Sequence, residues 1–159
     1  MHEKDIFAAN PDKAHSRIDI NAFIMESLFF ILTLIWTLNP NKFNIYIITQ
    51  IVIGIPFVYV SSLAYSKIGY WKETKLWDML GWFTHNTSNI FILNVVGLMT
   101  SSFNKNLSFL YFGVVIILMA IYSSINLVYK PKSLKEKSFK FLYFILILFL
   151  GGILPVILL

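Results

Sequence analysis

The chain contains no cysteine, and few of its residues are charged. The absence of cysteine excludes disulfide bonds, thiolate metal sites and a cysteine nucleophile. Only 13% of the 159 residues are charged, whereas 57% are hydrophobic and 17% are aromatic. Soluble domains carry about 25% charged residues, and disordered chains are poor in aliphatic and aromatic residues, so both classes are excluded. The composition predicts an all-α integral membrane protein.

Five segments are long and apolar enough to cross a membrane. A spanning helix needs about 20 mostly apolar residues, because the hydrocarbon core is about 30 Å thick and a helix rises about 1.5 Å per residue. The segments that qualify are residues 20–38, 43–66, 79–103, 107–129 and 141–159. Residues 1–17 are interpreted as a cytoplasmic leader. The sequence therefore predicts one membrane domain over residues 1–159, a bundle of five transmembrane helices.

Several residues mark where these helices begin and end. Proline is favoured at the first helical position, so Pro11 predicts that the first helix starts there, before its apolar segment. Asn41 or Asn44 can provide the N-cap of the second helix. Gly151-Gly152 and Pro155 near the end of the fifth segment predict that its last turns are bent or not helical.

The basic residues predict the orientation of the bundle. Eleven of the thirteen would lie on one side of a five-helix arrangement: Lys4, Lys13, Arg17, Lys67, Lys72, Lys75, Lys130, Lys132, Lys135, Lys137 and Lys140. Only Lys42 and Lys105 would lie on the other. Short loops rich in Lys and Arg remain cytoplasmic, so the N-terminus is predicted inside and the C-terminus outside. An alternative with four spans and a re-entrant C-terminal segment would return the C-terminus to the inside.

Five lysines occur close together before the last apolar segment: Lys130, Lys132, Lys135, Lys137 and Lys140. Basic residues near a membrane surface attract anionic lipid headgroups, by about 1 kcal/mol each. They are therefore candidates for contact with anionic lipid at the cytoplasmic face. The alternative is that they only provide the charge bias that orients the chain.

Glu26 and His85 are the ionisable residues placed well inside the predicted spans. Each follows an aspartate, Asp19 or Asp78, by seven residues, so both would lie roughly 10 Å deep from the cytoplasmic side. Ionisable groups at such depth usually face the bundle interior and mark a pathway or a structural pair. Counting from the helix ends brings other polar residues to the same region. The predicted binding or transport path is Glu26, His85, Asp19, Asp78, Asn89, Tyr59 and Tyr122.

The third segment is the least apolar of the five, so we expect it at the centre of the bundle. On the first helix, His15 and Asp19 are four residues apart and Asp12 lies one turn earlier, a spacing that can hold a divalent metal. Such combinations occur often by chance at helix ends, and no metal site or cofactor is predicted.

Two functions fit these observations. The first is a transporter or channel for cations, protons or small solutes, in which Glu26 binds the ion and His85 tunes its affinity. The second is a non-catalytic accessory or scaffold subunit of a larger membrane complex, in which Glu26 only snorkels or holds helices together. No nucleophile with a base and no carboxylate pair is visible, so we predict that the protein is not an enzyme.

The same features suggest the surroundings of the protein. The expected location is a cell or inner membrane, crossed several times, and the expected partners are the bilayer and either further copies of the chain or other membrane subunits. Nucleic acid is not an expected partner, because the basic residues are not clustered on a soluble surface.

Overall fold

A computed structural model describes residues 11–38, 43–68, 74–129 and 134–158. Five long helices occur in chain order: α1, Pro11–Leu38; α2, Ile45–Lys67; α3, Lys75–Ser101; α4, Lys105–Tyr129; and α5, Leu134–Leu148. A π-helical turn, Phe149–Ile153, and a short helix α6, Leu154–Leu158, follow α5 directly. No strand occurs in these four ranges, which confirms the all-α class.

Four stretches are long and apolar enough to cross a membrane: Ala14–Leu38, Ile45–Lys67, Lys105–Val128 and Lys137–Leu158. The last of them combines most of α5 with the π-helical turn and α6. Helix α3 is not among the four, because its Asn, Thr, Ser and His residues lower its hydropathy. At 27 residues it is nevertheless longer than the roughly 20 that a span requires.

Local signals in the sequence account for the helix starts. Helix α1 begins at Pro11, as the sequence predicts. Asn44 is the N-cap of α2, and its side-chain oxygen accepts a hydrogen bond from the Tyr46 backbone N–H at 2.9 Å. This bond satisfies one of the N–H groups that the first turn of a helix leaves without a helical partner.

Helix α3 lies at the centre of the bundle, where it packs against α1, α2, α4, α5 and the π-helical turn. This agrees with the expectation from its polar composition. Glycine allows the close packing: a Cβ at Gly81 would lie 2.9 Å from the Tyr65 ring, and a Cβ at Gly97 would overlap the Phe112 ring. Small residues let helices approach closely where apolar burial alone provides little driving force, as in lipid.

The end of the chain remains helical but changes its hydrogen-bonding pattern. The Leu154 N–H reaches the Phe149 carbonyl, five residues earlier, as in a π-helix. Proline has no N–H, so Pro155 cannot donate the α-helical bond that the Gly151 carbonyl would receive. The last turns are helical, so the prediction of a non-helical end is wrong, and one backbone carbonyl is open to a side chain.

Candidate functional site

An ion pair joins α1 to α3 near the starts of both helices. One guanidinium nitrogen of Arg17, in α1, lies 3.4 Å from a carboxylate oxygen of Asp78, in α3. The same nitrogen donates to the hydroxyl of Tyr65, in α2, and the guanidinium carbon lies 4.8 Å from the centre of that ring. The two charged side chains are only 16% and 10% exposed. Because a buried carboxylate without a partner is costly, Arg17 is the residue that allows Asp78 to be buried.

Next to this ion pair, Asn21 connects α1 to both neighbouring helices. Its amide nitrogen donates to the hydroxyls of Ser61 and Ser62, at 2.9 and 3.2 Å. Its amide oxygen lies 2.6 Å from Nδ1 of His85, and the other ring nitrogen, Nε2, lies 3.2 Å from the amide nitrogen of Asn89. These partners assign a neutral imidazole that donates from Nδ1 and accepts at Nε2. We call these residues and the ion pair the inner polar cluster, after the side that the basic residues predict to be cytoplasmic.

Glu26 lies apart from this cluster. It is exposed, and it lines an open groove of about 460 Å³ between α1 and α3, with Ser27, Phe30, Ile31, Ile92 and Val96. Within the described residues its carboxylate has neither a hydrogen-bond partner nor an ion pair. Glu26 follows Asn21 by five residues, which is about 140° around the helix. Since Asn21 faces His85, Glu26 faces outward, and the structure does not bring Glu26 and His85 together.

The other five members of the predicted path also lie either in the inner polar cluster or apart from it. Asp78 and Asn89 belong to the inner polar cluster with His85. Asp19, Tyr59 and Tyr122 are exposed on the periphery of the bundle, and the two tyrosines are 58% and 62% exposed. Equal depth therefore does not place these side chains on a common surface.

Of the five lysines that precede the last apolar segment, the structure describes the side chains of two, Lys137 and Lys140. Lys130 and Lys132 lie outside the described residues, as does the side chain of Lys135. Lys140 lies 5.0 Å from the centre of the Trp82 ring, and Lys137 donates to the Asn126 carbonyl. Both of these lysines therefore contact protein groups of neighbouring helices, α3 and α4.

The acidic face at the start of α1 lies on the surface of the bundle. Asp12, His15 and Asp19 are all exposed. No group of three or more His, Asp or Glu side chains with metal-binding geometry occurs among the described residues.

A second polar cluster lies near the opposite end of the bundle, at the π-helical turn. The side-chain amide nitrogen of Gln50, in α2, donates to the Gly151 carbonyl at 2.6 Å, which is the carbonyl left open by Pro155. The amide nitrogen of Asn94, in α3, donates to the Ile147 carbonyl at 3.3 Å. The amide oxygens of both side chains are buried and have no partner among the described residues. We call these two side chains and the turn the outer polar cluster.

Three of these residues were missed by sequence reasoning. The sequence predicts only an orienting charge at Arg17 and no role for Asn21 or Gln50. A signal for Asn21 existed, because it shares a helical face with the apolar residues Ala14, Ile24 and Leu28, all of which are buried. For Gln50 the signal is a strongly polar side chain in an otherwise apolar segment. The donor missing at Pro155 indicates an open carbonyl, but only the fold brings the two together.

Comparison with known proteins adds no family to these observations. No family model, no curated protein and no solved structure matches the chain significantly. Function is therefore argued from three features of the described residues: a paired inner polar cluster, an unpaired Glu26 in an open groove, and two unpaired amide oxygens in the outer polar cluster.

Proposed function

We propose that the chain is a multi-pass membrane protein that acts as a non-catalytic accessory subunit and binds a partner membrane protein through Glu26. The four apolar helical stretches support insertion into a membrane. The distribution of Lys and Arg favours a cytoplasmic N-terminus and an outer C-terminus, with α3 as the fifth span. In that arrangement Glu26 lies in the inner half of the bilayer.

The exposure of Glu26 is the observation that carries the proposal. An ionised carboxylate that faces lipid costs a few kcal/mol, and snorkelling relieves only part of this cost. A Lys or Arg on a partner helix would relieve the rest. The groove walls suit such a helix, because four of the residues that line the groove with Glu26 are apolar: Phe30, Ile31, Ile92 and Val96. The expected partner is therefore a transmembrane helix with one basic residue at the depth of Glu26.

The inner polar cluster argues against a transport path through the same region. A path needs polar groups that remain free to bind a solute, whereas Arg17, Asp78, Asn21 and His85 bind one another. Transport of cations remains the second candidate function. It is favoured by the unpaired oxygens of Gln50 and Asn94, which lie in a different part of the bundle.

Crosslinking at the Glu26 groove tests the accessory role. A photoreactive amino acid at Phe30 or Val96 should form one adduct of discrete mass with another membrane protein in native membranes. The adduct should map to a transmembrane segment that contains Lys or Arg. Glu26→Gln should reduce the yield at least about tenfold, because truncating one member of a desolvated charge pair costs roughly 2 kcal/mol or more.

The controls separate the groove from the general charge of α1. Asp19→Asn makes the same chemical change on an exposed carboxylate outside the groove and should leave the yield unchanged. The probe at Tyr122, exposed on α4, should give no such adduct. An equal yield with Glu26→Gln, an adduct with a second copy of the chain, or a partner segment without a basic residue would each contradict the proposal.

A further inference from the structure

A groove of about 190 Å³ lies between the end of α4 and the start of α5. None of the residues that line it is buried, so it lies on the outside of the bundle, next to exposed aliphatic side chains of α4 such as Ile121 and Ile125. Three hydroxyl groups and one cation share this groove with apolar groups. Its lining includes Ser123, Ser124 and Leu127 of α4 and Lys137, Ser138 and Phe141 of α5.

Two of the three hydroxyls can donate to a molecule in the groove. A serine in a helix commonly donates to a backbone carbonyl of the preceding turn, as Ser124 does to the Ala120 carbonyl at 2.8 Å. Ser123 and Ser138 make no such bond, and within the described residues their hydroxyls have no hydrogen-bond partner. A hydroxyl that loses water without gaining a partner is costly, so both favour an acceptor supplied from outside the chain.

Lys137 adds a positive charge to the same groove. Its ammonium donates to the Asn126 carbonyl, which directs the side chain from α5 toward α4. The carbonyl has no net charge, so this bond positions the ammonium without neutralising it. Hydroxyl donors beside a positioned ammonium suit an anion with several acceptor oxygens, and a phosphate group has this chemistry.

The depth of the groove favours a phosphate that belongs to a lipid. Ser123 lies six residues before the end of α4 and Ser138 four residues after the start of α5, so both are roughly 6–9 Å from these helix ends. The interfacial layer on each side of the hydrocarbon core is roughly 5–8 Å deep. With the helix ends at the membrane surface, the hydroxyls therefore reach the level of the lipid phosphate and glycerol. Phe141, further along α5, offers an apolar surface to an acyl chain.

The size of the groove also favours a lipid headgroup over a soluble ligand. Pockets that enclose a small molecule usually measure about 300–1,000 Å³, whereas this groove measures about 190 Å³ and is open to the outside. It can hold a phosphate and part of the glycerol while the acyl chains remain in the bilayer.

We propose that this groove binds one anionic phospholipid, whose phosphate contacts Lys137, Ser123 and Ser138. The five lysines before the last apolar segment suggest a diffuse attraction of anionic headgroups, whereas the groove assigns a single site at one of these lysines. The proposal rests on insertion into a membrane, which is part of the proposed function, and does not depend on a partner at Glu26.

The test is native mass spectrometry of the purified full chain in mild detergent, titrated with phosphatidylglycerol or phosphatidylcholine of the same acyl chains. One phosphatidylglycerol molecule should bind before any further lipid. Phosphatidylcholine should bind at least about fivefold more weakly, because its own ammonium offsets the negative charge that attracts Lys137. Inorganic phosphate in excess should not displace the lipid, because it lacks the acyl chains. Equal binding of the two lipids, or displacement by inorganic phosphate, would overturn the proposal.

Lysine variants connect the binding to the groove. Lys137→Gln should weaken phosphatidylglycerol binding at least about fivefold, the factor that corresponds to one basic residue near anionic lipid, and Lys137→Arg should retain the binding. Lys140→Gln removes the same charge one turn later, from a side chain that lies against the Trp82 ring, and should have a clearly smaller effect. An equal loss in Lys140→Gln would show diffuse surface attraction and contradict the proposal, as would loss of binding in Lys137→Arg.

Serine variants provide a second comparison. The double variant Ser123→Ala/Ser138→Ala should weaken the binding at least about fivefold, because two hydrogen bonds to a charged acceptor are lost. Ser124→Ala removes a hydroxyl that already donates to the Ala120 carbonyl and should have little effect. Binding that is unchanged in the double variant, or weakened as much by Ser124→Ala, would contradict the assigned contacts.

Reconstitution into phosphatidylcholine nanodiscs separates this proposal from the proposed function. A chain that does not insert would contradict the proposed function. A chain that inserts but shows no preference for phosphatidylglycerol would contradict the lipid site alone. A dimer in detergent that carries no lipid adduct would show that a second copy covers the groove, and would also overturn the lipid site.

Discussion

Arg17 shows how the role of a single residue depends on its neighbours in space. As one of eleven basic residues on the predicted inner side, it contributes to orientation in the same way as a lysine. In the folded chain it is buried against Asp78 and Tyr65, 61 and 48 residues away in sequence. Its planar guanidinium reaches the carboxylate, the hydroxyl and the ring face together, which a lysine ammonium would not do as well.

Removing Arg17 should therefore destabilise the protein strongly. Arg17→Met leaves Asp78 buried without a cation, and we expect a loss of about 3–5 kcal/mol in the free energy of unfolding. The double variant Arg17→Met/Asp78→Asn should recover part of this loss, because no buried charge remains. The measurement is unfolding in mixed micelles of mild detergent and SDS. Lys67→Met, an exposed basic residue at the end of α2, serves as the control and should change the free energy by less than about 1 kcal/mol. A double variant no more stable than Arg17→Met would show that the cost is not one of unpaired charge.

At the scale of one helix, α3 is the long helix that is not among the four apolar stretches, and it has the most central position. Its polar side chains are tolerated because they bond to other protein groups, as His85 does with Asn21 and as Thr87 does with the Tyr143 hydroxyl at 2.6 Å. Its glycines let aromatic rings of α2 and α4 lie against its backbone. Helix α3 therefore depends on its neighbours for partners of its polar side chains.

Two glycine substitutions should differ in their effect on stability, because only one of the two glycines is in close contact with a neighbouring helix. Gly97→Ala in α3 would place a methyl group into the Phe112 ring, and we expect a loss of about 1–3 kcal/mol. Gly113→Ala in α4 meets no atom within 4 Å and should be neutral or stabilising by up to about 1 kcal/mol, because alanine is the better helix former. The same micellar unfolding experiment measures both variants.

The cause of the Gly97→Ala effect can be checked separately. Phe112→Leu shortens the side chain that the new methyl group would meet, so it should be less harmful in the Gly97→Ala background than in the wild-type chain. Equal effects of the two alanine substitutions would argue against close packing of α3 on α4.

For the whole molecule, the orientation in the membrane is open to a direct test. The chain has no cysteine, so each single-cysteine variant reports on one position. Ser102→Cys, between α3 and α4, should react with a membrane-impermeant thiol reagent in intact cells. Ser16→Cys and Ser138→Cys should react only after permeabilisation, because the inner ends of α1 and α5 are predicted to face the cytoplasm.

A cysteine at Leu158 distinguishes the two arrangements of the C-terminal segment. Labelling of Leu158→Cys in intact cells supports five spans, whereas labelling only after permeabilisation supports four spans and a re-entrant segment. Labelling of Ser16→Cys in intact cells would contradict the predicted orientation itself.

Composition and local signals were sufficient for the class of the fold. The all-α class, the start of α1 at Pro11, the N-cap at Asn44 and the central place of α3 all follow from the sequence. The candidate site was not predictable to the same degree. The depth of each residue along its helix was sufficient to group Asp78, His85 and Asn89. It did not show the direction in which the side chains of Glu26, Tyr59 and Tyr122 point.

The physical reason lies in the range of the interactions. Helix formation and transfer into an apolar environment depend on each residue and its close neighbours along the chain, so the sequence by itself determined the helical class, the apolar stretches and the excess of positive charge. Only the tertiary structure decided that Asn21 rather than Glu26 faces His85, and that Gln50 occupies the carbonyl left open by Pro155. Those pairings depend on the rotation of each helix about its axis, which is set by packing between side chains far apart in the sequence.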